Sequence, residues 1–310
     1  HRPECEALHQ DWKDSDSSRT VVKRKSGVLS LVSAKSEVSD ERPHAAKEAV
    51  TPPWEIDVFT LTDLPAHFAL EIFAGTARVC REINKLGIVC FPIDVCLFQH
   101  HNVLNTNIEH KIFNWIRSGR VVFVWCGMPC TSFSRARKWD GLGPGPLRSE
   151  HYLWGLPGLT YADHRKVTVG NLLLRWSVRM FRLCIQHHVP IVLENPYSSM
   201  AWELPPMRRL MSTPGLHGVS LDYCQFGELW KKPTYLIYYN IDISDLEKQC
   251  HSHRGCCSRT KRPHIPLVGV DADGLFMTLK AQPYPWAMCS QLAKCVAKAL
   301  RDQGLGVRPF

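Results

Sequence analysis

A cysteine that directly follows a buried-strand pattern is the residue of this chain best placed to act as a nucleophile. Residues 121–126 form an apolar run rich in β-branched side chains, which predicts a buried strand of a parallel sheet. Gly127, Met128 and Pro129 end the run, and Cys130 follows in a polar loop. Because ligands of open α/β sheets bind at the carboxyl ends of strands, this position predicts covalent catalysis by the Cys130 thiolate. Most of the 13 cysteines are expected to be packing residues instead.

Two acidic residues end other predicted strands. Glu194 follows the apolar run 189–193, where desolvation is expected to raise its pKa and suit it to hold a proton. Asp94 ends the run 88–93 and lies 19 residues after Gly75. An acidic residue about 20 residues after a nucleotide-binding turn holds a ribose hydroxyl, although an Asp at a strand end is more often a helix or turn cap.

A turn of small residues connects the first predicted strand to the first predicted helix. Gly75 lets the backbone approach a ligand closely, and the helix that follows favours a carboxylate or phosphate at its N-terminus. A single glycine does not make a dinucleotide fingerprint, so an ordinary βα turn remains the alternative.

Strands and helices alternate through the first two thirds of the chain, which predicts an α/β fold with a doubly wound, mostly parallel sheet. The predicted strands cover 67–73, 88–93, 121–125 and 189–193, and the predicted helices cover 76–86, 107–117, 167–187 and 289–300. We expect a disordered polar tail or linker at 1–65 and a cofactor-binding and catalytic α/β domain at 66–200. A small irregular target-recognition region at 201–282 and a C-terminal helix returning to the catalytic domain at 283–310 complete the expected organisation.

Charge and composition favour a nucleic-acid partner inside the cell. The net charge is +9, and residues 1–50 sum to zero, so the whole basic excess lies in residues 51–310. No run of 18 apolar residues predicts a membrane helix, and no secretory signal pattern is seen. Scattered cysteines within apolar runs indicate a reducing compartment, the nucleus or the cytoplasm. The start at His1 suggests a segment of a longer polypeptide.

Three motifs in order resemble the cytosine-5 DNA methyltransferase family over about residues 68–300. They are the Phe-Ala-Gly-Thr-Ala turn, the Pro-Cys pair and Glu-Asn-Pro, each at a predicted strand end. The resemblance implies a Rossmann-like fold that binds S-adenosylmethionine through Phe73, Ala74, Gly75, Thr76, Ala77, Asp94 and Pro129. It also implies that Cys130 adds to C6 of a flipped cytosine before methyl transfer to C5, with Glu194, Asn195 and Lys232 as further catalytic residues.

The resemblance also implies that the loop after the cysteine contacts the substrate. Residues 134–150 carry four basic and two acidic side chains, and the corresponding loop of the family closes over DNA. The expected DNA-binding residues are Ser134, Arg135, Arg137, Lys138 and Arg148. The expected partner is DNA, bound by a monomer, and RNA stays open as a substrate.

The chain departs from the family pattern in ways that indicate a divergent branch, of the kind carried by phages or mobile elements. Its third motif is Glu-Asn-Pro instead of Glu-Asn-Val, and Lys232 and Thr234 stand where the family has two arginines. The late Gly-Asn-Ser motif has only a weak counterpart in Tyr284-Pro285.

Two alternative functions remain open. An amino-methyltransferase acting on adenine N6 or cytosine N4 would use Asn195-Pro196-Tyr197, although this leaves Cys130 unexplained. A catalytically inactive DNA-binding module of a mobile-element polyprotein would explain the departure at Thr234.

A separate Cys/His cluster predicts a structural zinc site. Thiolate and imidazole are the ligands that zinc prefers, and Cys250, His253, Cys256 and His264 supply four of them. Their spacing matches no standard finger, so a metal-free surface loop is the alternative.

Overall fold

Six strands form a single sheet in the computed structural model, which describes residues 51–138, 143–272 and 274–305. Their order across the sheet is β2-β1-β3-β4-β6-β5, and β6 alone runs antiparallel to its neighbours. The strands are β1 (Phe68–Ile72), β2 (Cys90–Ile93), β3 (Val121–Gly127), β4 (Ile191–Pro196), β5 (Leu216–Asp222) and β6 (Pro233–Tyr239).

Helices cover both faces of this sheet. They are α1 (Arg78–Lys85), α2 (Thr106–Arg117), α3 (Tyr161–Gln186), α4 (Pro205–Met211), α5 (Met277–Lys280) and α6 (Trp286–Asp302). Side chains alternate across a strand, so Leu70 of β1 packs in the core beneath α2, α3 and α4, while Ala69 packs in the core beneath α1 and α6. The predicted α/β fold with a doubly wound, mostly parallel, Rossmann-like sheet is confirmed.

The boundaries of two predicted elements differ from those observed. The helix predicted at 167–187 begins earlier, because the side chain of Thr160 caps it by accepting a hydrogen bond from the Asp163 backbone N–H at 3.2 Å. Its polar first turn lacks the apolar periodicity used to predict it. Strand β4 runs on through Pro196, because Glu194 and Asn195 pair with Leu236 and Tyr235 of β6.

Two parts of the predicted organisation need correction. Residues 201–282 were expected to form a small irregular region, but they contribute β5 and β6 to the main sheet; the irregular part is shorter, at 247–276. The polar tail was expected to reach residue 65, yet Val58 is 1% exposed within the core. Residues 1–50 lie outside the described part of the chain.

Helices with the length and apolar character of a membrane span are not found among the described residues.

Candidate active site at the carboxyl edge of the sheet

The turn that carries Cys130 begins where β3 ends. Gly127 of β3 lies beside Glu194 of β4 in the parallel register, so the two strand ends are neighbours. The buried Asn195 side chain donates from Nδ2 to the Met128 carbonyl at 2.7 Å. Cys130 follows, half-buried, at the start of a short 3₁₀ helix. The end of β4 therefore positions the turn that presents the thiol.

Arg148 anchors the other side of this turn, and this corrects its expected role in DNA binding. Its side chain is 1% exposed and its guanidinium donates to the Ser132 carbonyl at 2.9 Å and to the Ser132 hydroxyl at 3.1 Å. It also donates to Leu153 O, Asn171 Oδ1 and Val167 O, and its charge lies 4.0 Å from the Phe133 ring centroid. Burial lowers its pKa to about 10. A guanidinium saturated in this way cannot reach a phosphate.

Glu194 is the buried carboxylate of the site. It is 6% exposed, and burial raises its pKa, opposed by the charge of Lys232 and by a hydrogen bond from the Tyr284 hydroxyl to Oε2 at 3.1 Å. Among the described residues, Oε1 has no hydrogen-bond partner. A carboxyl group with a raised pKa and a free oxygen is suited to share a proton with a ligand.

Lys232 acts electrostatically on both groups. Burial raises the pKa of the Cys130 thiol, the charge of Lys232 lowers it, and Glu194 raises it. The Lys232 ammonium donates to the Ala281 carbonyl at 2.8 Å and lies 4.6 Å from the centroid of the Tyr223 ring. The three predicted residues Cys130, Glu194 and Lys232 thus share one electrostatic environment. Thr234, the second departure from the family pattern, is fully buried opposite Pro196.

The β1–α1 turn has an unusual backbone. Phe73, Gly75 and Ala77 have φ angles of 59°, 55° and 53°, in the left-handed region that aromatic residues rarely adopt. Such backbone strain collects at ligand sites. The N–H groups of these three residues are bonded within the protein, to the Ile93 carbonyl, to Asp94 Oδ2 and to the Ala74 carbonyl respectively. No atom lies within 4 Å of the position where a Cβ on Gly75 would stand, so the turn is open at its centre.

Asp94 occupies the end of β2 beside this turn. Its Oδ2 accepts from the Gly75 N–H at 2.9 Å, and its Oδ1 accepts from the Cys96 N–H at 2.7 Å. The residue is therefore a cap for two turns, as one of its two predicted roles requires. Each carboxylate oxygen can accept more than one hydrogen bond, so the same side chain can also receive a ligand hydroxyl.

Tyr284 is a site residue whose role the sequence did not reveal. A Cβ on Gly127 would lie 2.1 Å from the Tyr284 hydroxyl, so glycine is required where the phenol crosses β3 to reach Glu194. The Tyr284 ring packs edge-on against Trp125, and the Arg78 guanidinium donates to the backbone carbonyl of Tyr284 at 2.6 Å. The glycine that ends β3 was the available signal, because it marks a close approach by another group.

Glu71 was also missed. It is fully buried on β1, accepts from the Cys80 N–H of α1 at 2.7 Å, and burial raises its pKa to about 8. The available signal was an acidic residue within an otherwise apolar predicted strand.

The remaining loop residues lie on the surface side of the turn. Arg135 forms ion pairs with Glu150 and Glu203, Arg137 donates to the Gly145 carbonyl at 2.8 Å, and the Ser134 hydroxyl accepts from Ala136 N. The Lys138 side chain is exposed. Residues 139–142 of the loop lie outside the described part of the chain.

The Cys/His cluster contains only two of the four predicted ligands. Cys250 and His264 converge with Cys224 and Cys257. The other two predicted ligands, His253 and Cys256, lie outside this group. His253 is exposed, Cys256 is half-buried, and a backbone bridge connects the two. Cys224 lies 26 residues before Cys250, beyond the spacing that the sequence suggested.

Comparisons with known proteins give distant structural similarity. No family model matches the chain, and no curated protein matches it. Among solved structures, it is similar to the Entamoeba histolytica methyltransferase EhMeth (TM-score 0.34, 11% identity, 63% of this chain and 58% of that chain). It is also similar to the S. pombe Dnmt2 methyltransferase (TM-score 0.27, 12% identity, 56% and 48%) and to a Spodoptera frugiperda DNMT2 variant (TM-score 0.29, 14% identity, 67% and 61%).

The chain spans about half to three fifths of the length of these solved structures. At such low identity and TM-score the similarity assigns no activity to it, so its function must be inferred from the residues of its own site.

Proposed function

We propose that this protein is an S-adenosylmethionine-dependent methyltransferase that methylates C5 of cytosine in nucleic acid through a covalent adduct of Cys130. The observation that carries the proposal is the pairing of Cys130 with Glu194. The half-buried thiol follows the end of β3, the buried carboxyl group lies on the adjacent parallel strand β4, and the charge of Lys232 acts on both.

The β1–α1 turn fits the cofactor. The open space at Gly75 suits a close approach of the ligand to the backbone, and Asp94 suits a ribose hydroxyl. When bound, S-adenosylmethionine supplies an electrophilic methyl group on a sulfonium. The turn that contains Pro129 and Cys130 follows β3, which is the parallel neighbour of β1. The thiol and the β1–α1 turn therefore lie at the same edge of the sheet.

The residues of the edge divide the reaction into easier steps. The Cys130 thiolate forms a bond to cytosine C6, which makes C5 nucleophilic enough to take the methyl group while the sulfonium leaves as a thioether. A solvent water then takes the C5 proton, the C5–H electron pair forms the C5–C6 double bond, and the C6–S bond breaks to release the Cys130 thiolate. Glu194, whose pKa is raised by burial, hydrogen-bonds the N3 edge of the base and stabilises the adduct.

Lys232 and Tyr284 tune these two groups. The charge of Lys232 lowers the pKa of the Cys130 thiol against burial and so increases the fraction of thiolate. The Tyr284 hydroxyl holds one oxygen of Glu194 and leaves the other for the base. Asn195 acts as a positioning residue, because its amide is committed to the Met128 carbonyl.

A nucleic-acid substrate is supported by the charge of the chain and by the reaction itself. The basic excess of residues 51–310 attracts a polyanion, and a base must leave its stack to reach a half-buried thiol. Of the loop residues, Lys138 is exposed and Arg135 and Arg137 would exchange their present partners for phosphates. DNA as substrate, a monomeric state and a nuclear or cytoplasmic location remain predictions.

The amino-methyltransferase alternative is less well supported. It needs the Asn195 side chain to receive the target amine, but this side chain is fully buried and its Nδ2 donates to Met128. The inactive binding module is not favoured by any particular contact, and the experiment below tests it directly.

A mechanism-based trap tests the proposal. Oligonucleotides containing 5-fluorocytosine, as DNA and as RNA, are incubated with the protein and S-adenosylmethionine, and denaturing gels report covalent complexes. Fluorine cannot leave C5 as a proton does, so we expect the wild type to be trapped and Cys130→Ser to give no adduct. Cys295→Ser, a thiol on α6, is the matched control and should be trapped like the wild type.

The other outcomes decide between the alternatives. A wild type that binds S-adenosylmethionine and methylates adenine N6, with Cys130→Ser still active, would establish the amino-methyltransferase. A folded wild type that binds nucleic acid but neither binds cofactor nor forms an adduct would establish the binding module.

A further inference from the structure

Three buried cysteines and a histidine converge just after the carboxyl end of β5, outside the two cores of the sheet. The ligand atoms of Cys224, Cys250, Cys257 and His264 all lie within 4.8 Å of one another. The three cysteines are at most 4% exposed and form a small buried cluster of their own, with no aliphatic or aromatic member. Ordinary apolar packing therefore does not account for their convergence.

The distances match those of a tetrahedral zinc ion. Zn–S bonds of about 2.3 Å and Zn–N bonds of about 2.0–2.1 Å require S···S edges of about 3.8 Å and S···N edges of about 3.6 Å. The Cys250 and Cys257 sulfurs are 3.9 Å apart, and Cys250 Sγ is 3.6 Å from His264 Nε2. A disulfide would need its sulfurs at about 2.05 Å, so these thiols are not a cystine.

The groups around the cluster suit metal ligands. His264 Nδ1 lies 3.1 Å from the Gly255 carbonyl, which fixes the tautomer that leaves Nε2 free to face the sulfurs. The Ser258 N–H donates to Cys250 Sγ at 3.3 Å. The Gln225 amide donates to Cys224 Sγ at 3.6 Å and to Cys257 Sγ at 3.7 Å. Donors directed at sulfur stabilise thiolates.

We propose that Cys224, Cys250, Cys257 and His264 bind one structural Zn²⁺ that pins the segment 247–276 to the sheet. Within its described residues this segment has turns and isolated bridges but neither helix nor strand. A segment without a core of its own needs another source of order, and a metal site supplies it directly. The proposal does not depend on the function proposed above.

Tyr223 connects the proposed zinc site to Lys232 of the candidate active site. Tyr223, next to Cys224, lies under the Lys232 ammonium, and its N–H donates to the Lys232 carbonyl at 3.3 Å. The metal therefore stabilises the residue on which Lys232 rests.

Metal content of matched variants tests the ligand set. Full-length protein produced in zinc-supplemented medium is analysed by elemental mass spectrometry, and one equivalent of zinc per chain is expected. Cys257→Ser and Cys224→Ser should each contain at least tenfold less zinc per chain than the wild type. Cys256→Ser and His253→Ala, neighbours that lie outside the cluster, should keep it.

Two further measurements hold even where a cysteine variant fails to fold. X-ray absorption of the wild type should show three sulfurs at about 2.3 Å and one nitrogen at about 2.0–2.1 Å around zinc. His264→Cys should retain zinc with four sulfurs, while His264→Ala should bind it at least tenfold more weakly. Each variant's far-ultraviolet circular dichroism reports whether the sheet has formed.

The overturning results are equally concrete. Folded wild type with less than about a tenth of an equivalent of zinc after zinc supplementation would refute the site. Zinc lost from Cys256→Ser and His253→Ala but kept by Cys257→Ser would move the site to the set suggested by the sequence. Zinc lost only from His101→Ala would place it at the other convergent group, Asp57, His100 and His101.

Discussion

The carboxyl edge of the sheet and the Cys/His segment 247–276 both bring reactive side chains together, but they do so by different means. At the edge, Cys130 lies in the turn after β3, and Glu194 lies on the neighbouring parallel strand β4 beside the last residue of β3. In the segment 247–276, Cys250 and Cys257 meet Cys224 and His264 through turns. The edge is built on the buried cores on both faces of the sheet, whereas the proposal above makes the segment 247–276 dependent on a metal for its order. Substitutions at the edge should therefore change rates, and substitutions in the segment should change stability.

The largest expected effect is on the segment. Removing the metal with a strong chelator, or replacing Cys257 with Ser, should destabilise the protein by about 5 kcal/mol or more, because loss of a structural metal removes folding free energy directly. Hydrogen exchange should show lost protection in 247–276 while β1 and β3 stay protected. Cys256→Ser serves as the control, and equal destabilisation by both variants would contradict the comparison.

Replacing Glu194 with Gln should give the converse result. The amide cannot shuttle the proton that the raised-pKa carboxyl shares with the base, so turnover should fall about 10²–10³-fold with the free energy of unfolding nearly unchanged. Single-turnover methylation and urea unfolding measure the two quantities. A large loss of stability with little loss of rate would show that Glu194 is a packing residue.

Arg148 tests whether a residue predicted to bind nucleic acid instead acts on stability. Arg148→Met leaves buried acceptors on Ser132, Leu153 and Asn171 without their donor, so we expect about 2–4 kcal/mol of destabilisation by urea unfolding. Arg135→Met, an exposed ion-paired neighbour, should cost less than about 1 kcal/mol. The salt dependence of nucleic-acid binding should respond to Arg135 and not to Arg148; the reverse would restore the predicted DNA contact of Arg148.

Glu71 should be an exception at the edge, because it acts on stability through pH. Its folded pKa of about 8 lies above its ordinary value of 4.5, so the folded state retains a proton that the unfolded state releases. The contribution of Glu71 to the free energy of unfolding is fully present below about pH 4.5. It is lost as the pH rises towards 8, at about 1.4 kcal/mol per pH unit in between. Glu71→Gln should flatten this slope in urea titrations at several pH values. An unchanged slope would show that Glu71 ionises normally.

The smallest expected effect is that of Lys232 on the thiol. Without the charge of Lys232 the pKa of Cys130 rises further. Lys232→Met should therefore slow adduct formation about tenfold at neutral pH, and the rate should recover at alkaline pH. Lys232→Arg should keep the wild-type profile. Alkylation of Cys130, followed by peptide mass spectrometry across pH, measures the shift, and a parallel loss at every pH would indicate a structural role instead.

The outcome of the sequence predictions follows the range of the interactions behind them. The strands at the edge were predicted within one to three residues, because buried apolar runs and the residues that end them are local signals. The strands β5 and β6 were missed, because β6 pairs antiparallel with both β4 and β5 and these pairings lie in the loosely patterned region. Of the four residues predicted to bind zinc, only Cys250 and His264 lie in the group that converges, and Cys224 was missed because it lies 26 residues before Cys250.

By itself, the sequence determined the α/β class and the delivery of Cys130, Glu194 and the β1–α1 turn to one edge, since parallel strands bring their carboxyl ends together. Only the tertiary structure decided what those groups touch. The Tyr284 hydroxyl reaches Glu194 across 90 residues of chain, and Arg148 turns inward to Ser132 instead of outward to solvent. Such contacts depend on how helices and loops dock on the sheet, which no local periodicity encodes.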